Sequence, residues 1–437
     1  MTTLSAPAAL VGTPCATCGR PLVSERGAAP WCAGCGWNIE FYDAERRRAD
    51  LRWKWADKFS FHSAYEQNAA QFVELSGRPV DRPGFSVARL MLILVSLACL
   101  AFDLGLIALG VWLFAAQGNV PLDIVGALAI MVGLLLLPPI RRLGKYADPR
   151  DLDDYPTLHA LVQRVATAIG APVPRVLLLS ERFNAGTGTY GLGRRFLSIG
   201  LPLWLSLTPQ EQVALLGHEL GHFVNGDVRR GRLTRYAFTF FERLDYLTRP
   251  DKGASRYGWA RASVRGSYGV GAHGSGFADA ISRIVFGVVN FAVAMGMLIV
   301  EWVGSRSSHR AEYAADAAAA RVAGSTAAVS LIDTLATGEV CMTLLRRSAR
   351  STDISEWRSA IAEGRRDMAE RLLRLRQLSM RESASLFVTH PPSGLRAQLV
   401  ESRAEQPATV TLTELEAQSI DHEFARAYAE LRTSLRA

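Results

Sequence analysis

The stretch His218-Glu219-Leu220-Gly221-His222 places two histidines four residues apart, with a glutamate directly after the first. Residues four apart on a helix share a face, so both imidazoles can bind a single Zn²⁺ ion. Glu219 then lies beside the ion, where it can take a proton from a metal-bound water. The alternative is a pair of surface histidines on a charged helix. The pattern favours a catalytic zinc with His218 and His222 as ligands and Glu219 as general base.

The helix that carries this motif is predicted to begin at Thr208-Pro209-Gln210-Glu211. Thr208 and Glu211 have the spacing of a capping box, and Pro209 occupies the first helical position, where its missing N–H costs nothing.

A third ligand is available in His309-Arg310-Ala311-Glu312-Tyr313-Ala314-Ala315-Asp316, an alanine-rich stretch with strong helix propensity. Glu312 and Asp316 are four apart and share a helix face. Glu312 can therefore bind the metal, while Asp316 accepts the spare N–H of a zinc-bound histidine. The alternative for this pair by itself is a solvated acidic face.

Four of the six cysteines form two C-x-x-C pairs, each followed by a glycine. Two such pairs thirteen residues apart indicate a tetrahedral structural zinc of the zinc-ribbon type. Two disulfides are the alternative, which a cytoplasmic location disfavours. The ligands of this second zinc are expected to be Cys15, Cys18, Cys32 and Cys35.

The elements that position these residues include two long apolar runs, residues 88–116 and 124–140. Each approaches the roughly 20 residues that cross a hydrocarbon core. The turn between the runs contains no lysine or arginine, whereas the outer flanks are basic, with Arg82, Arg89, Arg141, Arg142 and Lys145. The positive-inside rule therefore predicts a transmembrane hairpin with both ends in the cytoplasm.

A third apolar run, residues 284–300, lies between His222 and Glu312. A single crossing would separate these two residues across the bilayer, although both are expected to bind one ion. The only other apolar candidate in between, residues 235–242, is short and charged. We therefore expect residues 284–300 to enter or lie against the membrane without crossing it.

Composition narrows the class of protein. The 437 residues are 49% hydrophobic and 21% charged, which suits two or three domains with a membrane anchor. The net charge of +8 is explained by anionic lipid at the inner leaflet. The basic run at residues 365–376 has the pattern of a solvated helix face, so no nucleic-acid partner is expected.

The order of H-E-L-G-H, then E-Y-A-A-D about ninety residues on, then T-H-P-P resembles the HtpX-like and CAAX-prenyl-protease-like membrane zinc metallopeptidases, over residues 150–400. The resemblance implies zinc ligands at His218, His222 and Glu312, with Glu219 as base and Asp316 as support. It also implies that His390, together with Arg396, faces the cleft and stabilises the oxyanion, as a cationic or donor group opposite the metal would.

The segment that contains Asn184, Ala185 and Gly186 occupies the place where this family has an edge strand ahead of the active-site helix. An edge strand can bind an extended peptide through its unpaired N–H and C=O groups. The segment is unusually rich in glycine, so a flexible hairpin is the alternative.

The expected fold is mainly α, of the α+β class: a zincin-type peptidase domain with a small β-sheet, a two-helix membrane hairpin and a Cys₄ ribbon. The expected organisation is a ribbon at 1–45, a linker at 46–85, the hairpin at 86–143, the peptidase at 150–402 and a helical tail at 403–437.

The resulting hypothesis is an integral membrane zinc endopeptidase with one catalytic and one structural zinc. We expect it in a bacterial inner membrane, with its N-terminus and active site in the cytoplasm and with membrane or unfolded proteins as substrates. A processing protease for a dedicated peptide, such as a lipidated one, is one alternative. A non-catalytic zinc-ribbon adaptor on a peptidase scaffold is the other.

Overall fold

The computed structural model describes residues 10–47, 51, 53–80, 87–116, 120–138, 148–191, 193–225, 227–248 and 277–436, with only the backbone for 227–233 and 277–285. The chain forms two compact units. The first comprises Met1–Gly84, Ala147–Arg229 and Ser305–Ala437, and the second comprises Phe85–Tyr146 and Arg230–Gly304.

The first unit begins with a ribbon of tight turns over residues 10–47, joined by short antiparallel bridges between Pro14 and Pro21 and between Val23 and Trp31. It continues into helix α1, Lys54–Leu75. This helix lies in the segment expected to be a linker. It buries several polar side chains, among them Ser60, Asn68 and Gln71, and these interrupt the apolar pattern that would have marked it as a core helix.

A four-stranded sheet follows, formed by β1 (Pro149–Asp151), β2 (Val176–Ser180), β3 (Ala185–Tyr190) and β4 (Arg194–Gly200). The strand order is β1-β2-β4-β3. Strand β2 runs parallel to β4, and the outer pairs β1–β2 and β3–β4 are antiparallel. The sheet therefore ends at β3, whose second edge has no partner strand among the described residues.

Helices cover this sheet and form the core of the first unit. They are α4 (Pro156–Ile169), α5 (Leu201–Leu205), α6 (Pro209–Val224), α9 (Ser325–Ala336), α10 (Gly338–Ser348), α11 (Ile354–Asp367), α12 (Leu372–Glu382), α13 (Ser393–Glu401), α14 (Glu414–Glu423) and α15 (Ala425–Arg436). The last two were expected to be a tail. Instead they pack into the core through buried side chains such as Ile420, Phe424 and Tyr428.

Two further helices belong to both units, namely α7 (Asp227–Thr248) and α8 (Phe277–Ala323). Within the first unit, the last turns of α8 pack tightly against α6. A Cβ atom on Gly217 would lie 3.0 Å from the Cα of Ala319, and one on Gly221 would lie 3.2 Å from the Cα of Ala315. Only glycine allows the two helices to approach this closely.

The second unit contains α2 (Val87–Ala115), α3 (Val120–Leu136), most of α7 and the first part of α8. Helices α2 and α3 form a close hairpin, in which a Cβ on Gly110 would lie 2.5 Å from the carbonyl oxygen of Gly126. Asp103 is fully buried and accepts a hydrogen bond from Tyr236 of α7. This aspartate therefore faces the interior of the unit.

Helices α7 and α8 run antiparallel within the second unit. Asn290 donates to the carbonyl oxygen of Thr248, and Gly296 gives room to the ring of Phe241. Residues 235–242 are thus part of a 22-residue helix and not of a short apolar segment.

Two helices of the described chain are long and apolar enough to cross a membrane, α2 and residues 286–323 of α8. The second helix of the expected hairpin, α3, is a shorter apolar helix of 17 residues. That residues 284–300 stop short of a full crossing stays a prediction.

Candidate active site and metal centres

The helix that carries the H-E-x-x-H motif is fixed at its first turn. Thr208 and Glu211 form the predicted capping box, which is therefore confirmed. The buried Glu211 carboxylate also binds Arg365 through both oxygens, at 2.8 and 2.5 Å, and accepts from Ser330. Burial alone would raise the pKa of Glu211, but Arg365 and Ser330 hold it below its usual value.

Three side chains converge between α6 and α8. The Nε2 atoms of His218 and His222 are 3.4 Å apart. The two carboxylate oxygens of Glu312 each lie 3.6 Å from one of them, Oε2 from His218 and Oε1 from His222. Ligands held about 2.0–2.2 Å from a tetrahedral zinc are themselves about 3.3–3.6 Å apart. The donor set and its spacing therefore fit one zinc ion.

Asp316 lies one turn beyond Glu312 and contacts the first histidine from behind. Its Oδ1 lies 3.0 Å from Nδ1 of His218. Arg396 binds both oxygens of Asp316, at 2.8 and 2.6 Å. Burial would raise the pKa of Asp316, but Arg396 and His218 bring it down to about 2. The ionised carboxylate can only accept, so Nδ1 of His218 carries the proton and Nε2 keeps its lone pair for a metal.

The resemblance implied that Arg396 faces an open cleft, but in the structure this arginine is buried. Its side chain is only 7% exposed and is held by Asp316, with Nη1 4.0 Å from Glu312. The guanidinium of Arg396 is therefore engaged by the buried carboxylate of Asp316 through two hydrogen bonds.

His390 does lie at the site, on the segment between α12 and α13. Its Nδ1 is 2.6 Å from Oε2 of Glu312, and its side chain is 54% exposed. Burial would raise the pKa of Glu312, but His390, His222 and His218 together hold it well below its usual range. Glu312 is therefore ionised and able to bind a cation.

Glu219 is mostly buried on the same turn of α6 as the two histidines. Its backbone carbonyl accepts a hydrogen bond of 3.0 Å from the hydroxyl of Thr187 in β3. The active-site helix is therefore joined directly to the edge strand.

The segment that was expected to bind substrate forms part of that edge. Ala185 and Gly186 pair with Ile199 and Ser198 of β4. Asn184 precedes the strand, and its carbonyl already accepts from the N–H of Gly200. The segment is strand β3, which forms an antiparallel hairpin with β4, and a Cβ on Gly186 would meet no atom within 4 Å.

The four ribbon cysteines form a second cluster. Their sulfurs lie within 4.8 Å of one another, with Cys15 and Cys35 at 3.7 Å and Cys18 and Cys32 at 3.3 Å. All four are free thiols. Sulfurs about 2.3 Å from a tetrahedral zinc would be roughly 3.8 Å apart, so the cluster fits a Cys₄ zinc site.

The turns of the ribbon direct backbone N–H groups at the sulfurs. Gly19 and Gly36 follow the two pairs with φ of +72° and +74°, a conformation that favours glycine. The backbone N–H of Cys35 helps to lower the pKa of Cys32 to about 6. For Cys35 the N–H of Trp37 lowers the pKa, but burial and the neighbouring thiols raise it to about 12. A bound cation would hold all four as thiolates.

Sequence reasoning missed two buried residues that support the site. His309 precedes Glu312 by one turn of α8, and its ring lies between Asn68 of α1 and the backbone of Val388. No spacing pattern in the sequence relates Asn68 to His309. A lone histidine three positions before the ligand was the only signal available.

Comparison with known proteins agrees with this geometry. The model of peptidase family M48 matches residues 153–404. Protease HtpX homolog 1 of Sulfurisphaera tokodaii is 40% identical over 84 residues, 19% of this chain and 27% of that protein. Protease HtpX homolog 2 of the same organism is 33% identical over 149 residues, 32% of this chain and 45% of that protein. The Protease HtpX homolog of Syntrophobacter fumaroxidans is 26% identical over 216 residues, 47% of this chain and 74% of that protein.

No solved structure matches the chain. The chain spans less than half the length of the first two relatives. The family match nevertheless covers more than half of the chain, including both ligand-bearing helices and the His390 segment. With its candidate membrane helices and metal clusters, the chain belongs to peptidase family M48, the zinc-dependent peptidases, and is HtpX-like.

Proposed function

We propose that this protein is a membrane-anchored zinc endopeptidase in which His218, His222 and Glu312 bind the catalytic zinc. The observation that carries the proposal is the convergence of these three ligand atoms within 4.8 Å, with Asp316 behind His218. A third ligand from a distant helix and a carboxylate behind the first histidine are what a His₂Glu site needs, and two surface histidines would have neither.

Zinc bound there supplies Lewis acidity, which polarises the scissile carbonyl and brings the pKa of a water to about 7. The Glu219 carboxylate accepts the proton of that water and passes it to the leaving amine. Asp316 keeps the proton of His218 on Nδ1, and Arg396 keeps Asp316 ionised.

His390 is the side chain best placed to stabilise the developing oxyanion. It is half exposed beside Glu312, whereas Arg396 is buried and held by Asp316. A donor aimed at the oxygen that gains charge stabilises the transition state more than the ground state.

The edge strand β3 supports peptide cleavage within a chain. The strand is bonded to the helix of Glu219 through Thr187, so a peptide added along β3 is brought past the catalytic residues. Asn184, Ala185 and Gly186 remain the proposed start of this binding edge.

A second zinc, bound by the four ribbon cysteines, has a structural role in this proposal. Four thiolates close a tetrahedral site and leave no position for water or substrate.

We further propose that the active site faces the cytoplasm of a bacterial cell from the inner membrane. The basic residues that flank the two apolar runs support this orientation. Substrates would then be membrane proteins or cytoplasm-facing unfolded proteins, with a dedicated lipidated peptide as the alternative. The lipid bilayer is the second partner, and no nucleic acid is expected.

Labelling of engineered cysteines tests the topology. His222 and Glu312 bind one ion, so we expect Ser275→Cys and Ser307→Cys to react from the cytoplasmic side, and Gly118→Cys from outside. The unmodified chain, with its six native cysteines, gives the background. Reaction of Ser275→Cys and Ser307→Cys from opposite sides would mean either that residues 235–280 contain a second crossing or that Glu312 is not the third zinc ligand.

Cleavage of an unfolded soluble protein by the purified full-length chain tests the chemistry. We expect Glu219→Gln to retain its zinc and to lose turnover by at least about 10²–10⁴-fold, because an amide cannot accept the proton. The matched control is Glu405→Gln, a change at an exposed glutamate outside the site.

A Glu219→Gln variant that retains its zinc and cleaves like the wild type would contradict the proposal. If the wild type cleaves only a lipidated peptide, the processing alternative is correct. If the wild type contains both zinc ions and cleaves neither substrate, the adaptor alternative is correct.

A further inference from the structure

The residues that precede the family match contact the segment that carries His390. The match begins at residue 153. The ribbon at residues 10–47 and helix α1 lie before it, in the same compact unit as the catalytic residues. We call these two elements together the N-terminal module.

The segment between α12 and α13, residues 383–392, has no regular structure beyond turns. Arg47 of the module donates to the carbonyl oxygens of Arg381 and Ala384, at 3.0 and 2.5 Å. The backbone N–H of Leu386 donates to the hydroxyl of Ser60 on α1, at 3.1 Å, and both residues are fully buried. The first half of the segment is therefore bonded to the module.

The second half is held through His309. Its Nε2 lies 3.1 Å from the carbonyl oxygen of Val388, two residues before His390. Its Nδ1 lies 2.8 Å from the side-chain oxygen Oδ1 of Asn68 on α1. His309 is 3% exposed, and it joins α1, α8 and the His390 segment at one point.

The hydrogen-bonding capacity of these groups fixes the direction of each bond. Burial lowers the pKa of His309, which is therefore neutral and has one N–H. The carbonyl of Val388 can only accept, so Nε2 donates to it and Nδ1 accepts from Asn68. This requires the side-chain amide of Asn68 to be rotated by half a turn, which exchanges the positions of Oδ1 and Nδ2. The otherwise unpartnered Nδ2 then donates to Nδ1 of His309.

The ribbon fixes helix α12, which leads into the same segment. Glu25 binds Arg371 and Arg374, and the indole of Trp31 donates to Gln377 at 3.0 Å. Buried Arg381, at the end of α12, donates to carbonyl oxygens of the ribbon, including that of Ala29 at 2.7 Å. The ribbon and helix α12 are thus joined by ion pairs and hydrogen bonds at both ends of the helix.

We propose that the N-terminal module is a structural part of the active site, in which Ser60, Asn68 and His309 act as positioning residues that hold His390 beside Glu312. This inference rests on the proposed role of His390 in peptide hydrolysis. It assigns to the N-terminal module, which lies outside the family match, a function in catalysis that an independent substrate-recruiting ribbon would not have.

A double-mutant cycle tests the proposal in the full-length protein. We expect Ser60→Ala and Asn68→Ala each to lower kcat by about 10- to 100-fold with KM nearly unchanged, because His390 acts mainly in the transition state. In a His390→Ala background the same changes should lower kcat no further, since the group that they position is gone. Ser63→Ala, on the same helix, is the matched control.

Amide hydrogen exchange provides a readout that does not depend on activity. Faster exchange over residues 383–392 in Ser60→Ala and Asn68→Ala, with the zinc content of the wild type, is the expected result. Additive losses in the His390→Ala background would show that the module stabilises the domain without positioning His390. Unchanged exchange in both variants would overturn the proposal even if the protein proves to be no peptidase.

Discussion

The two candidate metal sites of this chain differ in how their ligands are brought together. The four thiols of the ribbon come from residues 15–35, and turns with glycine in the left-handed conformation direct them at one point. The His₂Glu centre takes its ligands from α6 and α8, at residues 218, 222 and 312. A local loop is enough for the first cluster, whereas the second requires the packing of a whole domain.

The residues that surround the two sites also differ. Two of the ribbon cysteines are exposed, and backbone N–H groups of the turns are directed at the sulfur of Cys32. The His₂Glu centre has the ion pair of Asp316 and Arg396 on one side and the imidazole of His390 on the other. A site closed by four ligands stabilises a fold, and a site with three ligands and charged neighbours can perform chemistry. The predictions below test this division.

Among the changes that compare the two sites, the largest effect is expected for Asp316→Asn, which keeps the shape of the side chain but removes the charge beside His218. We expect zinc affinity or turnover to fall by about 10- to 100-fold, as for other carboxylates that support a zinc-bound histidine. Metal titration and cleavage assays measure this.

The matched control for that change is Asp333→Asn. Asp333 also accepts two hydrogen bonds of 2.7 Å from one arginine, Arg376. Among the described residues, its carboxylate contacts no histidine of the metal site. An equal loss of zinc in Asp333→Asn would mean that the effect of Asp316 is one of general stability.

An intermediate effect on activity is expected for Cys15→Ala. The ribbon zinc should be lost, so that elemental analysis falls from two zinc ions per chain to one, because three thiolates cannot close the site. Turnover should fall by a smaller factor than in Asp316→Asn, since α1 keeps its bonds to the His390 segment. Cys341→Ala, a buried thiol in α10, should retain both ions. Loss of both zinc ions, or of neither, from Cys15→Ala would contradict the division.

The smallest effect on turnover is expected for Glu211→Gln, whose consequence is a change in the pH dependence of stability. The pKa of Glu211 is held below its unfolded value of about 4.3 by Arg365 and Ser330, against the effect of burial. Its stabilising contribution is therefore complete above about pH 4.3 and is lost as the pH falls below that value.

Glu211→Gln should accordingly be less stable than the wild type at pH 7 by about 1–3 kcal/mol, with the difference shrinking on acidification. Denaturant midpoints of the variant and the wild type at pH 7 and below about pH 4.3 measure this difference in stability. Glu416→Gln is a suitable control, because Glu416 is the equivalent capping-box residue at the exposed start of α14. A difference that widens in acid would contradict the assignment.

These residues also show what the sequence could and could not predict. Helix α6 was predictable because its signals are local: Thr208 and Glu211 cap it, and the histidines recur at helical spacing. The ribbon was predictable for the same reason. Helix α1 was not, since it packs with polar side chains such as Asn68, whose partner is more than 200 residues away.

The orientation of Arg396 was equally hidden. Its position in the sequence was consistent with a cleft residue, and only the fold places Asp316 close enough to engage its guanidinium. Residues whose role depends on one distant partner cannot be read from periodicity, because periodicity reports the face of an element and not what covers it.

The distribution of the ligands along the chain has a consequence for biosynthesis. The ribbon can fold once residue 35 has left the ribosome, because its four thiols are then present. The peptidase centre needs α8 and also Arg396 on α13, which are synthesised after the hydrophobic helices α2 and α3. Since domains fold in order of their synthesis, the nascent chain contains the hydrophobic helices α2 and α3 long before it can hydrolyse a peptide. The proposed peptidase would therefore be unable to cut itself, or its neighbours at the membrane, until α13 has been made.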